Sequence, residues 1–357
     1  MPPSGRDQMK TENSSAPALS RQRVDYLDVA RGIALICIIL GHFHIGEIDR
    51  FVYTFDVPLF FIITGYFINE KTSFKDFVKR KVQTLAIPYF ITGIAILILG
   101  TITGFFNSGS FLQSATYWLK AVLYGSGSFY LSPFAINEIG PIWFLWATFF
   151  ASILVKLILK ADYRVRPFIV AAAFAAGYFS SKYLFWFPLS IQSGLCASLF
   201  VYIGYLIKKY NERIKSLNIA VKIIGFVAAA AVWVWFIIDF RSFWLVRCDF
   251  GRGIPDILRS LCACIAVFAI SFFIDKFVKP VSKVLSVVGK NSIFILCVHA
   301  IEINLFPIQD ILGIYIPEFN VLLRQAVIIV LDVAIVCGIG FMLSKISSVR
   351  RAFGMKA

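Results

Sequence analysis

The chain has 357 residues, of which 59% are hydrophobic and 15% are charged, and its mean hydropathy is +0.79. A soluble domain is closer to about half apolar and a quarter charged. This composition excludes a soluble globular protein and indicates an integral membrane protein. The formal net charge of +15 has to be explained by where the basic residues fall along the chain.

Residues 1–23 are polar and rich in Pro and Ser, which predicts a disordered tail without a signal peptide. Apolar runs follow, each long enough to cross about 30 Å of hydrocarbon. The stretch 111–124 is too short to span and is predicted to be interfacial or re-entrant. The predicted spans are 27–46, 51–69, 84–105, 141–159, 167–187, 189–207, 219–239, 254–274, 289–308 and 321–343.

The sequence therefore predicts an all-α integral membrane protein of about ten transmembrane helices. Its membrane domain covers 24–345, and a basic cytoplasmic tail covers 346–357. With both termini cytoplasmic, 24 of the 35 Lys and Arg residues fall in inside segments and 6 fall in outside loops. This asymmetry is the positive-inside pattern, so most of the net charge faces the anionic inner leaflet rather than nucleic acid. The expected location is a cell inner membrane.

Ionisable side chains at membrane depth are costly and mark functional sites. In this chain they are Arg31, His42, His44, Asp56, Arg259, His299, Glu302 and Asp332. Arg31 and His42 are eleven residues apart, so on one helix they share a face and lie about 16 Å apart along its axis. Asp28 can pair with Arg31 at i,i+3.

Two carboxylates are predicted to accompany the buried imidazoles. Asp56 precedes Pro58 in the second run and could orient the imidazole of His42, or it could be a hydrated interfacial residue. Glu302 follows His299 at i+3, either as the partner of a second acid–base residue or as half of a satisfied core pair. We expect His42, Arg31, His299, Asp56 and Glu302 to form the catalytic set.

Five phrases of the sequence, taken in order, resemble the membrane-bound acyltransferase family 3, in the version of its fucose 4-O-acetylase-like branch. They are LDVARGIALICIILGH, FDVPLFFIITGYFI, KRKVQTLAIPYF, GPIWFLWATFF and GKNSIFILCVHAIEI. The resemblance covers roughly residues 24–345. It implies a ten-helix membrane enzyme that moves an acyl group, usually acetyl from acetyl-CoA, onto a hydroxyl of an extracytoplasmic saccharide. The family's Arg-x10-His signature falls on Arg31 and His42.

The resemblance also suggests roles for residues outside this signature. Acetyl-CoA is anionic, so Arg31 with Lys79, Arg80 and Lys81 is expected to bind it from the cytoplasmic side. The stretch 79–83 stands where the family often has an Arg-x-x-Arg pair, and Asp56 stands where many relatives have His or another residue. From the residues themselves, Trp143 is expected either to stack on a sugar or to belong to the interfacial aromatic belt. Arg259 is expected to face a cavity. The expected partners are acetyl-CoA, a saccharide or polysaccharide and the lipid bilayer, with no metal.

Two other classes of protein remain open at this point. A transporter or flippase of polysaccharide precursors would use the histidines as a proton relay, although the chain lacks the repeat symmetry of many transporters. A membrane sensor or scaffold would have no need of Arg31 and His42 on one helix face. The sequence also leaves the acceptor sugar and the oligomeric state open, a homo-oligomer included.

Overall fold

The computed structural model of the chain describes residues 25–317 and 320–355. The predicted tail 1–23 and residues 356–357 of the predicted basic tail lie outside the described residues. Helices make up most of the described chain, so the predicted all-α class is confirmed. The helices are α1 (Asp25–Gly41), α2 (Gly46–Val52), α3 (Asp56–Tyr66), α4 (Phe74–Lys81), α5 (Ile87–Ser108), α6 (Phe111–Tyr124), α7 (Trp143–Ile158), α8 (Arg166–Tyr183), α9 (Ile191–Lys209), α10 (Asn211–Ser216), α11 (Ile219–Ile238), α12 (Ile254–Phe277), α13 (Lys279–Lys290), α14 (Ser292–Leu305), α15 (Ile308–Tyr315), α16 (Val321–Lys345) and α17 (Ser347–Ala352).

Six helical segments within the described residues are long and apolar enough to cross a membrane, and a seventh span results if α13 and α14 count as one bent element. The other predicted runs correspond to α1, α3 and α8, which have 17, 11 and 18 residues. The chain is thus a multi-pass membrane protein, while the count of about ten spans stays a prediction. The six segments are Phe74–Asn107, Gly140–Ile158, Pro188–Lys209, Ile219–Ile238, Ile254–Phe277 and Val321–Lys345.

The first helix ends earlier than the apolar run of 27–46 predicts. Helix α1 ends at Gly41, and the backbone N–H of His42 bonds to the carbonyl of Ile39 at 3.1 Å in a tighter turn. His44 then takes a left-handed conformation with φ 53°, which turns the chain into α2. His42 therefore sits in the terminal turn of α1, where its side chain leaves the helix face and can enter a cavity.

The ninth predicted run, 289–308, is also interrupted. Helices α13 and α14 meet at Asn291 with a bend of 69°, and the side-chain amide of Asn291 donates to the carbonyl of Val287 at 2.8 Å. The charge pattern assigns the stretch before the bend to an inside segment. In the structure this stretch is helix α13, which packs along α1. The bend directs α14 toward the end of α1 that carries His42.

Glycines allow helices to pack at very short range in the core. A Cβ atom at Gly65 of α3 would lie 1.8 Å from the carbonyl oxygen of Val201, and one at Gly204 of α9 would lie 1.8 Å from that of Ile62. Helices α3 and α9 therefore touch backbone to backbone at two reciprocal points. This contact holds α3, whose two ends border the two cavities of the candidate site.

The stretch 111–124 forms the 14-residue helix α6, which runs antiparallel along α5. Gly104 of α5 packs against Ser114, and Gly100 packs against Trp118. Near the other end of α6, the hydroxyl of Tyr89 donates to the carbonyl of Val122 at 2.7 Å. The segment after α6 begins with Gly125 at φ 63° and continues into the wall of the cavity beside His42 that is described below.

Candidate functional site

A cavity of about 370 Å³ borders the imidazole of His42. Its wall is formed by the end of α1, the start of α3, the start of α7, part of α14 and the segment Phe243–Arg247. We call it the His42 cavity. Helix starts and loops meet at this place, so side chains from distant parts of the sequence converge there.

Three side chains in and beside this cavity form a continuous hydrogen-bonded chain. Nδ1 of His42 lies 2.7 Å from the carbonyl oxygen of Ile38 and 3.3 Å from Nε2 of His299. Nδ1 of His299 lies 3.0 Å from Oε2 of Glu302. His299 is only 2% exposed and Glu302 only 7%, so this chain of groups is shielded from solvent.

The partners of these rings assign their tautomers. A carbonyl oxygen only accepts hydrogen bonds, so Nδ1 of His42 carries the proton that it shares between Ile38 and Nε2 of His299. Nε2 of His299 must then be the acceptor, and Nδ1 of the neutral His299 ring donates to Glu302. The His299 ring is therefore neutral, and in the neutral form of His42 the other ring nitrogen, Nε2, keeps its lone pair. That atom is suited to take a proton from a ligand.

Asp56 lies in the wall of the same cavity, but its contacts differ from the predicted ones. It is 2% exposed, and its Oδ1 accepts the backbone N–H of Val57 at 2.7 Å, which is one of the N–H groups in the first turn of α3. The hydrogen bonds that orient His42 come instead from Ile38 and His299. A role of Asp56 toward a ligand in the cavity stays a prediction.

Trp143, the predicted sugar-stacking residue, lies in the wall of the His42 cavity as the first residue of α7. Four further lining residues were not suggested by any pattern in the sequence. These are Asp49, Glu138, Trp244 and Asn304. They come from the short helix α2, from two connecting segments and from the last part of α14, where neither helical periodicity nor a motif marks them.

Arg31 lines a second cavity of about 310 Å³, which we call the Arg31 cavity. Its guanidinium lies 3.4 Å from Oδ1 of Asp28, as the i,i+3 spacing predicts, and packs 5.0 Å from the ring centre of Phe67. Arg80 and Lys81 also line this cavity. The remaining lining residues include hydroxyl and amide side chains, so the cavity combines three cations with neutral polar groups.

Lys79 is not among the described residues that line the Arg31 cavity, whereas its neighbours Arg80 and Lys81 are. A residue that the sequence did not suggest helps to hold the cavity wall. The ammonium of Lys156, 4% exposed, donates to the carbonyls of Asn69 and Glu70 at 2.7 and 2.9 Å. Lys156 thereby fixes the turn between α3 and α4, which contains the lining residue Asn69.

Arg259 lines neither cavity among the described side chains. It lies 2.9 Å from Asp256 and 3.2 Å from Asp239, and it stacks 4.0 Å from the ring centre of Trp235. Arg252 also bonds to Asp239, and this hydrogen bond lowers the pKa of the Asp239 carboxyl. These contacts satisfy the charge of Arg259 within an ion-pair network, and its role toward a substrate stays a prediction.

The two cavities lie toward opposite ends of α1 and α3. Asp56 and Pro58 of α3 line the His42 cavity, and Thr64 near the other end of α3 lines the Arg31 cavity. From Arg31 to His42, eleven residues correspond to about 16 Å of helix. A cationic cavity and a cavity with an imidazole base are therefore joined by the same two helices.

A family model described as an acyltransferase domain, that of acyltransferase family 3, matches residues 24–343. No curated protein and no solved structure matches the chain at a significant level. The match covers nearly the whole membrane domain and supports a transferase over a transporter or a scaffold. The chain is therefore a multi-pass membrane acyltransferase that belongs to acyltransferase family 3.

Proposed function

We propose that the chain transfers an acetyl group from acetyl-CoA to a hydroxyl group of a saccharide. The observation that carries this proposal is the hydrogen-bonded chain His42–His299–Glu302 beside the His42 cavity. A neutral imidazole with a defined tautomer and a carboxylate behind it is the arrangement that general-base catalysis of acyl transfer requires. The acceptor hydroxyl is placed in the His42 cavity.

In the proposed reaction, Nε2 of His42 takes the proton of the acceptor hydroxyl as its oxygen attacks the thioester carbonyl. A carbon–oxygen bond forms and the carbon–sulfur bond breaks. The leaving thiolate takes the proton from the imidazolium and departs as the thiol, which returns His42 to its neutral form. During the attack, the positive charge on His42 is stabilised by Glu302 through His299, because Nδ1 of His42 and both ring nitrogens of His299 have hydrogen-bond partners.

The Arg31 cavity supplies the proposed donor site. Arg31, Arg80 and Lys81 are three cations around about 310 Å³, and a nucleotide phosphate group is a matching anion. The acetyl end of the donor then has to extend along α1 toward His42. The positive-inside pattern of the sequence supports a cytoplasmic Arg31 cavity in a cell inner membrane and an extracytoplasmic His42 cavity.

The sidedness can be tested separately from the chemistry. A reporter fused at the turn before α4, near Lys75, should be active in the cytoplasm, and one fused in the segment near Arg247 should be active outside. The opposite result for both fusions would contradict the sidedness and with it the entry of a cytoplasmic donor through the Arg31 cavity.

Donor use is tested with purified protein and acetyl-CoA labelled in the acetyl group. We expect slow release of the free thiol without an acceptor, and transfer of the label to membrane saccharide when that is added. Acetyl phosphate, which lacks the nucleotide and the pantetheine arm, should not replace acetyl-CoA. Equal transfer from acetyl phosphate, or no thiol release from acetyl-CoA, would contradict the proposal.

A further inference from the structure

Three polar atoms in the wall of the His42 cavity are available as hydrogen-bond acceptors. Oδ1 of Asp49 is a buried atom without a hydrogen-bond partner in the described part of the chain. The amide nitrogen of Asn304 donates to the carbonyls of Ile139 and Ala300 at 3.2 and 2.7 Å, which leaves its carbonyl oxygen as an acceptor. Nε2 of His42 is a third acceptor. A buried acceptor without a partner is costly, so a ligand that donates hydrogen bonds would satisfy this wall.

The charged groups of the cavity are predominantly acidic. Asp49, Asp56 and Glu138 contribute three carboxylates, and Arg247 contributes one guanidinium. Nε of Arg247 already donates to the hydroxyl of Ser128 at 3.0 Å. An anionic ligand would therefore meet more carboxylates than cations, and like charges a few ångströms apart repel each other.

Imidazoles do not reverse this balance. The ring of His299 is neutral because its Nε2 accepts a hydrogen bond, and His42 acts as the proposed base in its neutral form. The exposed His44 is the remaining imidazole in the cavity wall. Aromatic side chains also line the cavity, and two of them are the indoles of Trp143 and Trp244. Flat indole rings can cover the apolar face of a ring-shaped ligand while the acceptors bind its hydroxyl groups.

We propose that the acceptor site in the His42 cavity binds an uncharged or cationic sugar ring and rejects an anionic one. The hydroxyl groups, or an ammonium group, of the ring satisfy Asp49 and Asn304, and the ring lies against the indoles. Asp49 and Glu138 act as specificity-determining residues by repelling a carboxylate or phosphate on the ring. The inference rests on the proposed function in one respect, namely that the His42 cavity is the acceptor site. Binding of the sugar itself requires no acyl donor.

The test compares matched sugars that differ in charge. Methyl glycosides of glucose, glucosamine and glucuronic acid, with their galacto and manno counterparts, are titrated into the purified protein in detergent without acetyl-CoA. Binding is followed by tryptophan fluorescence, because Trp143 and Trp244 face the cavity. In at least one stereochemical series, we expect the neutral and amino sugars to bind about tenfold or more tightly than the acidic sugar, equivalent to about 1.4 kcal/mol.

The double variant Asp49→Asn with Glu138→Gln should bring the acidic sugar to within about threefold of the neutral one. Glu47→Gln removes an exposed carboxylate from the same region that does not line the cavity, and it should retain the full discrimination. Equal or tighter binding of the acidic sugars by the unchanged protein, or binding of no sugar in any series, would overturn the inference. The binding experiment contains no donor, so its result does not depend on whether the protein transfers acetyl groups. Failure of acetyl transfer would be detected in the separate assay with labelled acetyl-CoA.

Discussion

Glu302→Gln is the substitution for which the hydrogen-bond chain makes the sharpest prediction. Oε2 of Glu302 accepts Nδ1–H of His299, and Oε1 accepts the backbone N–H of Ile308 at 3.1 Å. Both partners are donors, and a glutamine has only one acceptor oxygen to offer them. If that oxygen stays with Ile308, the amide NH₂ faces His299 and forces its proton to Nε2, where it opposes Nδ1–H of His42.

The size of the effect follows from the loss of one hydrogen bond to a charged group, about 1.5 to 3 kcal/mol. If this loss is felt in the transition state, the rate falls by about one to two orders of magnitude. The assay is kcat/KM for label transfer from acetyl-CoA to saccharide, with protein amount measured by blot. Asp310→Asn, which changes an exposed carboxylate near Glu302, is the control and should stay near normal. A normal rate for Glu302→Gln would refute the assigned tautomers.

The Arg31 cavity and its supporting turn give two more predictions. Gln substitutions at Arg80 and Lys81 should raise the KM for acetyl-CoA at least about tenfold, because each charge-assisted bond that is lost is worth about 1.5 to 3 kcal/mol. Lys79→Gln is the control and should leave this KM unchanged. Equal effects of all three substitutions would disprove the assignment of the Arg31 cavity as the donor site. Lys156→Met should lower the free energy of unfolding by about 2 kcal/mol, because two carbonyls lose a charged donor, and it should also raise the KM for acetyl-CoA. Substitution of the exposed Lys160 by Met should change neither quantity. A thermal melt measures the stability, and donor kinetics measure the KM.

Local spacing in the sequence predicted two close pairs of side chains in the candidate site. The i,i+3 relations of Arg31 to Asp28 and of His299 to Glu302 both appear as close pairs in the structure. Such pairs depend only on the geometry of a single helix, which the apolar runs indicate clearly. The approach of His42 to His299, by contrast, joins residues 257 positions apart and depends on how α1 and α14 pack.

Other features were hidden because their cause is tertiary. In the sequence, Lys156 is an ordinary charged residue near the end of an apolar run. Its two carbonyl partners lie in the turn between α3 and α4, and only the packing of α7 against this turn brings them together. The local pairing of Arg259 with Asp256 is visible in the sequence, but its second partner, Asp239, comes from the end of another helix. From the sequence, the stretch that forms helix α13 is predicted to be a basic connecting segment, because its charges follow the positive-inside rule.

The central claim is that Nε2 of His42 takes the proton of the acceptor hydroxyl. His42→Ala tests it most directly, because the side chain lies at the end of α1 and contributes little to helix packing. We predict that label transfer from acetyl-CoA to membrane saccharide falls by about two to four orders of magnitude, while the protein inserts and accumulates normally. Near-normal transfer by His42→Ala would contradict the account and leave His299 as the remaining buried imidazole of the described site.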